Sequence, residues 1–221
     1  MRLIAHRGFA DEAPENTVPA VEHAVAAGAD VVEVDVRRCA SGEVVVHHDE
    51  TVDRVTDGSG PVGAHTFDGL QALDVLDSGA GVPSLAQVLD AIPPEVAVNV
   101  ELKETGVAAD VAALLADHEG EAMVSSFDQQ ALREMREADA AVPTAFLTDR
   151  FRDRPVATAR DLGCSYVHPH YRLCLLSRLV ERAHDAGIEV NVWTIRHAAI
   201  ARLLALRGVD GVTSDRSGIL D

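Results

Sequence analysis

"VVEVDVRRCASGEVVVHHDE", residues 31–50, decides how the rest of the chain is read. Two valine-rich runs, 31–36 and 44–48, have the β-branched content of strands. Only the seven residues "RRCASGE" separate them. A parallel crossover needs about a dozen residues or more. The two runs therefore predict an antiparallel hairpin with Ser41-Gly42 at its turn. Side chains alternate along a strand, so Glu33 and Asp35 share one face while Val32, Val34 and Val36 take the other.

Outward from this hairpin, short β-like runs alternate with amphipathic helical runs. Further strands are predicted at 2–5, 97–102, 122–126, 143–147, 165–168, 189–194 and 210–214. Helices are predicted at 16–28, 84–92, 107–118, 128–139, 154–162, 174–187 and 197–207, with Ser84, Asp128 and Ser177 as N-cap-type residues at or near their starts. Alternating strands and helices imply a parallel sheet. Setting the hairpin's return strand aside leaves eight parallel strands, the number of a closed (β/α)8 TIM barrel, in a chain short for that fold's typical length of about 250 residues. The reading is one domain over 1–221, with a Gly-, Asp- and Ser-rich insertion at about 50–83 that holds a short helix near 67–73. Only "DRSGILD" follows the last strand, so the final helix is a stub. The apolar flank it leaves beside the first and last strands predicts cover from a partner subunit, as in a homodimer, or from the 197–207 helix moved over.

In a barrel the valines suit the helical layer, so Glu33 and Asp35 point inward at the C-terminal end of their strand, where barrel active sites lie. "VELK", residues 100–103, repeats the pattern: Glu101 and Lys103 again share a face at a strand's end. Three clustered carboxylates resist joint ionisation. A hard divalent cation, Mg²⁺ or Ca²⁺ with Mn²⁺ also possible, resolves the conflict; pairing with interior arginines is the alternative. Lys103 is the one lysine beside 18 arginines, and a point cation there suits an anionic substrate group.

The first strand ends "AHRG", which puts His6 and Arg7 at the same mouth, and an arginine there can grip phosphate through a bidentate fork. The hairpin brings His47 and His48 back to it; they face opposite ways, so at most one of them acts from that strand. Two histidines beside a phosphate site suit acid–base work near neutral pH. His168 and His170 end the sixth barrel strand and are further candidates for the mouth. Histidines 23, 118, 184 and 197 read as solvent-facing. Trp193, the single tryptophan, is either a core aromatic or a wall for an apolar group.

Composition excludes other classes. The net charge of −17 argues against a nucleic-acid surface and against docking on anionic membranes. Absence of a long apolar run argues against stable membrane insertion. Cys39, Cys164 and Cys174 lack metal-binding spacing and fit reduced thiols, hence a cytoplasmic setting. An acidic, lysine-poor surface also resembles that of salt-adapted proteins.

At these residues the chain resembles the glycerophosphodiester phosphodiesterase family. The matches run in order over nearly the whole chain: "AHRG" at 5–8, "PENT" at 14–17, "EVDV" at 33–36, "HHDETVDRVTDGSG" at 47–60, "PSLAQVL" at 83–89, "VELK" at 100–103, "SSF" at 125–127, "VWT" at 192–194 and "TSD" at 213–215. The resemblance implies a (β/α)8 barrel that splits glycerophosphodiesters into sn-glycerol 3-phosphate and an alcohol. It implies His6 and His48 as the acid–base pair, and Arg7 and Lys103 on the phosphate. Asn16 lies near the metal or phosphate, Trp193 lines the alcohol pocket, and Glu33, Asp35 and Glu101 hold one divalent cation. It also implies attack by the glycerol 2-hydroxyl on phosphorus, followed by hydrolysis of the cyclic phosphate. A lysophospholipase-D-like enzyme, which needs an apolar lip, and a non-catalytic barrel that binds a phosphorylated ligand are the alternatives.

Overall fold

The structure is a computed structural model and describes residues 1–220. Its strands are β1 (Arg2–His6), β2 (Val31–Arg38), β3 (Val44–Val46), β4 (Ala97–Leu102), β5 (Ala122–Ser126), β6 (Thr144–Thr148), β7 (Tyr166–Pro169), β8 (Glu189–Ile195) and β9 (Gly211–Ser214). Eight of them pair in parallel, and β1 hydrogen-bonds to both β9 and β2, which closes the barrel. The ninth, β3, returns antiparallel on β2 with Val36 opposite Val46 and Arg38 opposite Val44. Gly42, at φ +106°, makes its turn, in a conformation that costs glycine nothing.

β3 ends at Val46, two residues before the predicted end. One more backbone bond, His47 N to Asp35 O at 2.9 Å, extends the pairing before the chain leaves the sheet.

Helices α1 (Val18–Ala26), α2 (Phe67–Gln71), α3 (Leu85–Asp90), α4 (Ala108–Ala116), α5 (Gln129–Ala138), α6 (Pro155–Leu162), α7 (Tyr171–Leu175), α8 (Leu179–Asp185) and α9 (Ala198–Leu206) alternate with the strands. Ser84 caps α3 in a reciprocal capping box with Gln87, and Asp128 caps α5 by accepting from Gln130 N. The single helix predicted over 174–187 is instead two. Ser177 does not start a helix: its Oγ donates to Leu173 O at 2.7 Å, a local bond that competes with the helical ladder, and α8 begins at Leu179.

Val32, Val34 and Val36 are fully buried and share one core with Val21 and Ala24 of α1 and Leu85 and Val88 of α3. Each such side chain stabilises the fold by roughly 1.5–3 kcal/mol. The barrel's lower interior is apolar, with Ile4 against Val31 and Ala97, and Met123 against Ala145 and Tyr166. The polar layers lie above this plug.

The insertion has its own small core of Val52, Val55, Val62, Leu70, Val75 and Val82, which packs on Val45 of the hairpin. The stub is a 3-10 turn, Ser217–Leu220. It packs against α9 and β1 and buries Ile219, while Leu203 and Leu206 of α9 and Leu220 of the turn stay exposed, so the chain covers this flank only in part. Among the described residues no helix is long and apolar enough to cross a membrane.

Candidate active site

Register sets the inner face of the barrel. His6 lies opposite Glu33 and Glu33 opposite Asn99; one layer higher, Asp35 lies opposite Glu101 and Glu101 opposite Ser125. Glu33, Asp35 and Glu101 are all buried, and each offers an oxygen within 4.8 Å of the others'. These acids are only partly paired. Asp35 does pair with cations, with Arg7 Nε at 3.1 Å and Lys103 Nζ at 3.0 Å, and Lys103 also bonds Glu101. Glu33 Oε1, however, is buried with no hydrogen-bond partner. An all-oxygen donor set with an orphaned carboxylate oxygen fits a hard divalent cation.

Electrostatics separate these acids. Burial and the neighbouring Asp35 push Glu33 up to about 8. Burial, then Asp35, also raises Glu101. Burial alone would raise Asp35 too, but Lys103 and Arg7 outweigh it and hold Asp35 well below the usual carboxylate range. Burial works against the Lys103 ammonium, yet Asp35 and Glu101 raise it.

The turn after β1 aims its residues through left-handed backbone, with Arg7 at φ +52°, Gly8 at +79° and Phe9 at +65°. Such conformations cost energy and persist where the surrounding structure fixes them. Here the kink directs Arg7 N–H to Glu33 Oε2 at 2.9 Å. Asn16, also at positive φ, is buried and donates to Asp35 Oδ2 at 2.8 Å, so it orients this acid.

His6 and His48 line one cleft with Arg7, Glu33, Glu101, Lys103, Phe127 and Trp193. His47 turns away and its Nε2 lies 3.0 Å from Thr51 O. In both cleft histidines Nδ1 is taken by an aspartate: His6 by Asp215 at 2.5 Å and His48 by Asp49 at 2.6 Å. Nε2 of each is the ring nitrogen that its aspartate does not hold. Burial disfavours charge on His6, but the bond to Asp215 and the charge of Glu33 raise it. Burial lowers His48; Asp35 opposes this, and Lys103 and Arg7 add to it.

His168 is buried inside the barrel, lowered to about 3 by desolvation, and accepts from Asn191 Nδ2 at 3.1 Å. Its carbonyl accepts from the Trp193 indole N–H at 2.8 Å. Trp193 is half-buried, with Phe127 and His170 edge-on at 5.5 and 5.3 Å, so it is a wall of the cleft rather than a core aromatic. Among the helical histidines, His184 and His197 are exposed as expected, whereas His23 and His118 are half-buried.

Sequence reasoning missed Asp215, Asp49, Glu15 and Arg54, although all four lie in the quoted motifs "TSD", "PENT" and "HHDETVDRVTDGSG". Asp215 meets His6 across 209 residues and Arg54 meets Glu15 across 39, which spacing does not reveal; Asp49 adjoins its partner His48, and only the direction of its side chain needed the structure.

A family model, the glycerophosphoryl diester phosphodiesterase family, matches residues 6–219. The chain belongs to the glycerophosphoryl diester phosphodiesterase family. Among its relatives is a glycerophosphodiester phosphodiesterase of Caldanaerobacter subterraneus subsp. tengcongensis, 30% identical over 227 residues that cover 96% of this chain and 93% of the relative. A solved phosphodiesterase of Oleispira antarctica, in complex with the product sn-glycerol-3-phosphate, superposes with a TM-score of 0.90 at 26% identity, over 100% of this chain and 95% of that one. A glycerophosphodiester phosphodiesterase of Agrobacterium tumefaciens superposes with a TM-score of 0.89 at 29% identity, over 99% and 98%. Membership and fold agree with the (β/α)8 reading of the sequence.

Proposed function

We propose that this phosphodiesterase hydrolyses glycerophosphodiesters to sn-glycerol 3-phosphate and an alcohol, with one divalent cation held by Glu33, Asp35 and Glu101. The observation that carries this is the meeting of three buried carboxylates at the strand ends, beside Arg7, Lys103 and two imidazoles whose Nε2 atoms their aspartates do not hold. Mg²⁺ and Ca²⁺ both suit the donor set, with Mn²⁺ as a third choice. When bound, the cation polarises a phosphoryl oxygen and neutralises developing charge.

The chain's own residues do the rest. Arg7 and Lys103 hold the phosphate oxygens and steady the charge that grows on them. One histidine takes the proton from the glycerol 2-hydroxyl as that oxygen attacks phosphorus. The other gives a proton to the departing alcohol, and water then opens the cyclic phosphate. Asn16 keeps Asp35 aimed inward, and Trp193 with Phe127 forms the wall for the alcohol. We take residues 1–221 as one catalytic domain with 50–83 inserted over its mouth.

The test is release of sn-glycerol 3-phosphate from glycerophosphocholine, abolished by EDTA and by His48→Ala. Turnover of lysolipid alone would favour the lysophospholipase-D-like reading. The insertion gives that reading little support, since Leu70 and Val75 are spent in its own core. Binding without turnover would favour a non-catalytic barrel. Three free, buried thiols support a reducing, cytoplasmic setting. The net charge of −17 supports salt adaptation, tested by a thermal midpoint that climbs with added KCl.

A further inference from the structure

A chain of alternating charges crosses the top of the barrel and joins two groups of the site. His48 Nδ1 donates to Asp49 Oδ1 at 2.6 Å, and Asp49 Oδ2 accepts from Arg54 Nε at 2.5 Å. Arg54 NH1 and NH2 reach both oxygens of Glu15, at 2.9 and 2.7 Å. Glu15 Oε1 also accepts from Arg7 NH1 at 2.9 Å, and Arg7 Nε lies 3.1 Å from Asp35 Oδ2. Arg54 comes from the insertion, where its neighbours Val52 and Val55 are buried in the small core and fix its backbone. Glu15 comes from the loop between β1 and α1, and its side chain is only 11% exposed.

Stability is a poor reason for this arginine. Its side chain is 47% exposed, and ion pairs that open to water contribute little. Its geometry is the informative feature. One planar fork holds two carboxylates at once, one leaning on an imidazole and the other on a guanidinium, which an ammonium cannot match. We infer that Arg54 is a positioning residue through which the insertion sets His48 and Arg7 together. This rests on the proposed function, in which His48 moves a proton and Arg7 grips phosphate. Loss of Arg54 leaves the Asp49 carboxylate free to swing away from Nδ1, and leaves Glu15 on Arg7 alone.

The test uses the full chain with Mg²⁺ and glycerophosphocholine. Arg54→Ala is expected to lower kcat and raise KM, each by about 10- to 100-fold, the usual cost of losing a group that orients site residues. Arg54→Lys keeps the charge but is expected to recover less than about threefold of either. Asp49→Asn should act on kcat, and Glu15→Gln on KM. In the Arg54→Ala background each should add less than about threefold, because residues in one network are not additive. A structural role alone would not divide the two constants between two partners.

Two readouts need no turnover: calorimetry with inorganic phosphate, and the downfield proton resonance of His48 Nδ1–H. Arg54→Ala is expected to weaken phosphate binding and to erase that resonance. If wild type cleaves no glycerophosphodiester but both readouts change, the proposed function falls and the positioning role stands. Four results would overturn the role: kcat and KM of Arg54→Ala within about twofold of wild type, a change in only one of them, full recovery in Arg54→Lys, or effects of Arg54→Ala and Asp49→Asn that multiply. Without turnover, unchanged phosphate affinity and an unchanged resonance overturn it equally.

Discussion

His6 Nδ1 donates to Asp215 Oδ1 at 2.5 Å, which ties the mouth of the first barrel strand to that of the last. Asp215 in turn pairs with Arg196 at 3.1 Å. Burial would raise this aspartate, but the bond to His6 and the charge of Arg196 lower it, so it stays a carboxylate. The pairing fixes which His6 nitrogen faces the cleft. Asp215→Asn, which keeps the shape and removes the charge, is expected to lower kcat by about 10- to 100-fold with little change in KM. Steady-state kinetics with unchanged circular dichroism check this.

The pH dependence of the metal-free protein follows from Glu33. Its carboxyl sits at about 8 in the fold against 4.5 in its ordinary state. Between these values the native chain holds a proton that the unfolded chain has released, so this group's stabilisation is lost as pH rises towards 8. His6, also raised, acts in the same direction above 6.5. His168 works the other way: lowered to about 3 from 6.5, it makes stability rise with pH up to 6.5. Thermal melts in EDTA are therefore expected to weaken from pH 6.5 to 8. Saturating Mg²⁺ should remove Glu33's share of that slope and make it shallower, because the ion takes the carboxylate form. A flat EDTA profile over this window would refute the assignment.

Gly8 sits at φ +79°, and an added Cβ would lie 2.7 Å from both the carbonyl carbon and Cβ of Ala20. Gly208 has the same φ, but its nearest neighbours would be 3.9 Å away. Gly8→Ala is expected to cost about 1–3 kcal/mol more than Gly208→Ala, since both pay for the backbone and only the first also collides. Urea unfolding measures the difference. Because Arg7 precedes Gly8, the variant should also bind inorganic phosphate more weakly.

Ile219 is buried and anchors the short turn Ser217–Leu220 to the barrel. Burial of Ile219 within the chain predicts the monomer mass of 23.5 kDa in light scattering, and a dimer mass would instead point to the exposed Leu203, Leu206 and Leu220 as its contact. Ile219→Asp buries an unpaired charge there and is expected to lower stability by about 2–4 kcal/mol, read by urea unfolding.

Much of this protein follows from its chain alone. Seven residues between two valine runs force a hairpin, and the strands left over number eight. Alternation along β2 then sends Glu33 and Asp35 to one face, and the valines of β4, facing the helices, leave Glu101 on the inner face of its own strand. Those are local constraints, and local constraints can be read in order along the sequence. Helix boundaries were less secure: Ser177 looks like a helix start, yet its hydroxyl turns back to Leu173.

The tertiary structure alone decided the partnerships. Asp215 meets His6 across 209 residues, and Arg54 meets Glu15 across 39. Barrel closure and the docking of the insertion bring these pairs together, and no periodicity records either event. The same holds for charge. Glu33 and Asp35 are chemically similar and two residues apart, but Lys103 and Arg7 lie against Asp35, while burial and Asp35 dominate at Glu33. Residue type and alternation were written in the chain; which acid keeps its proton depends on distances that exist only once the barrel has closed.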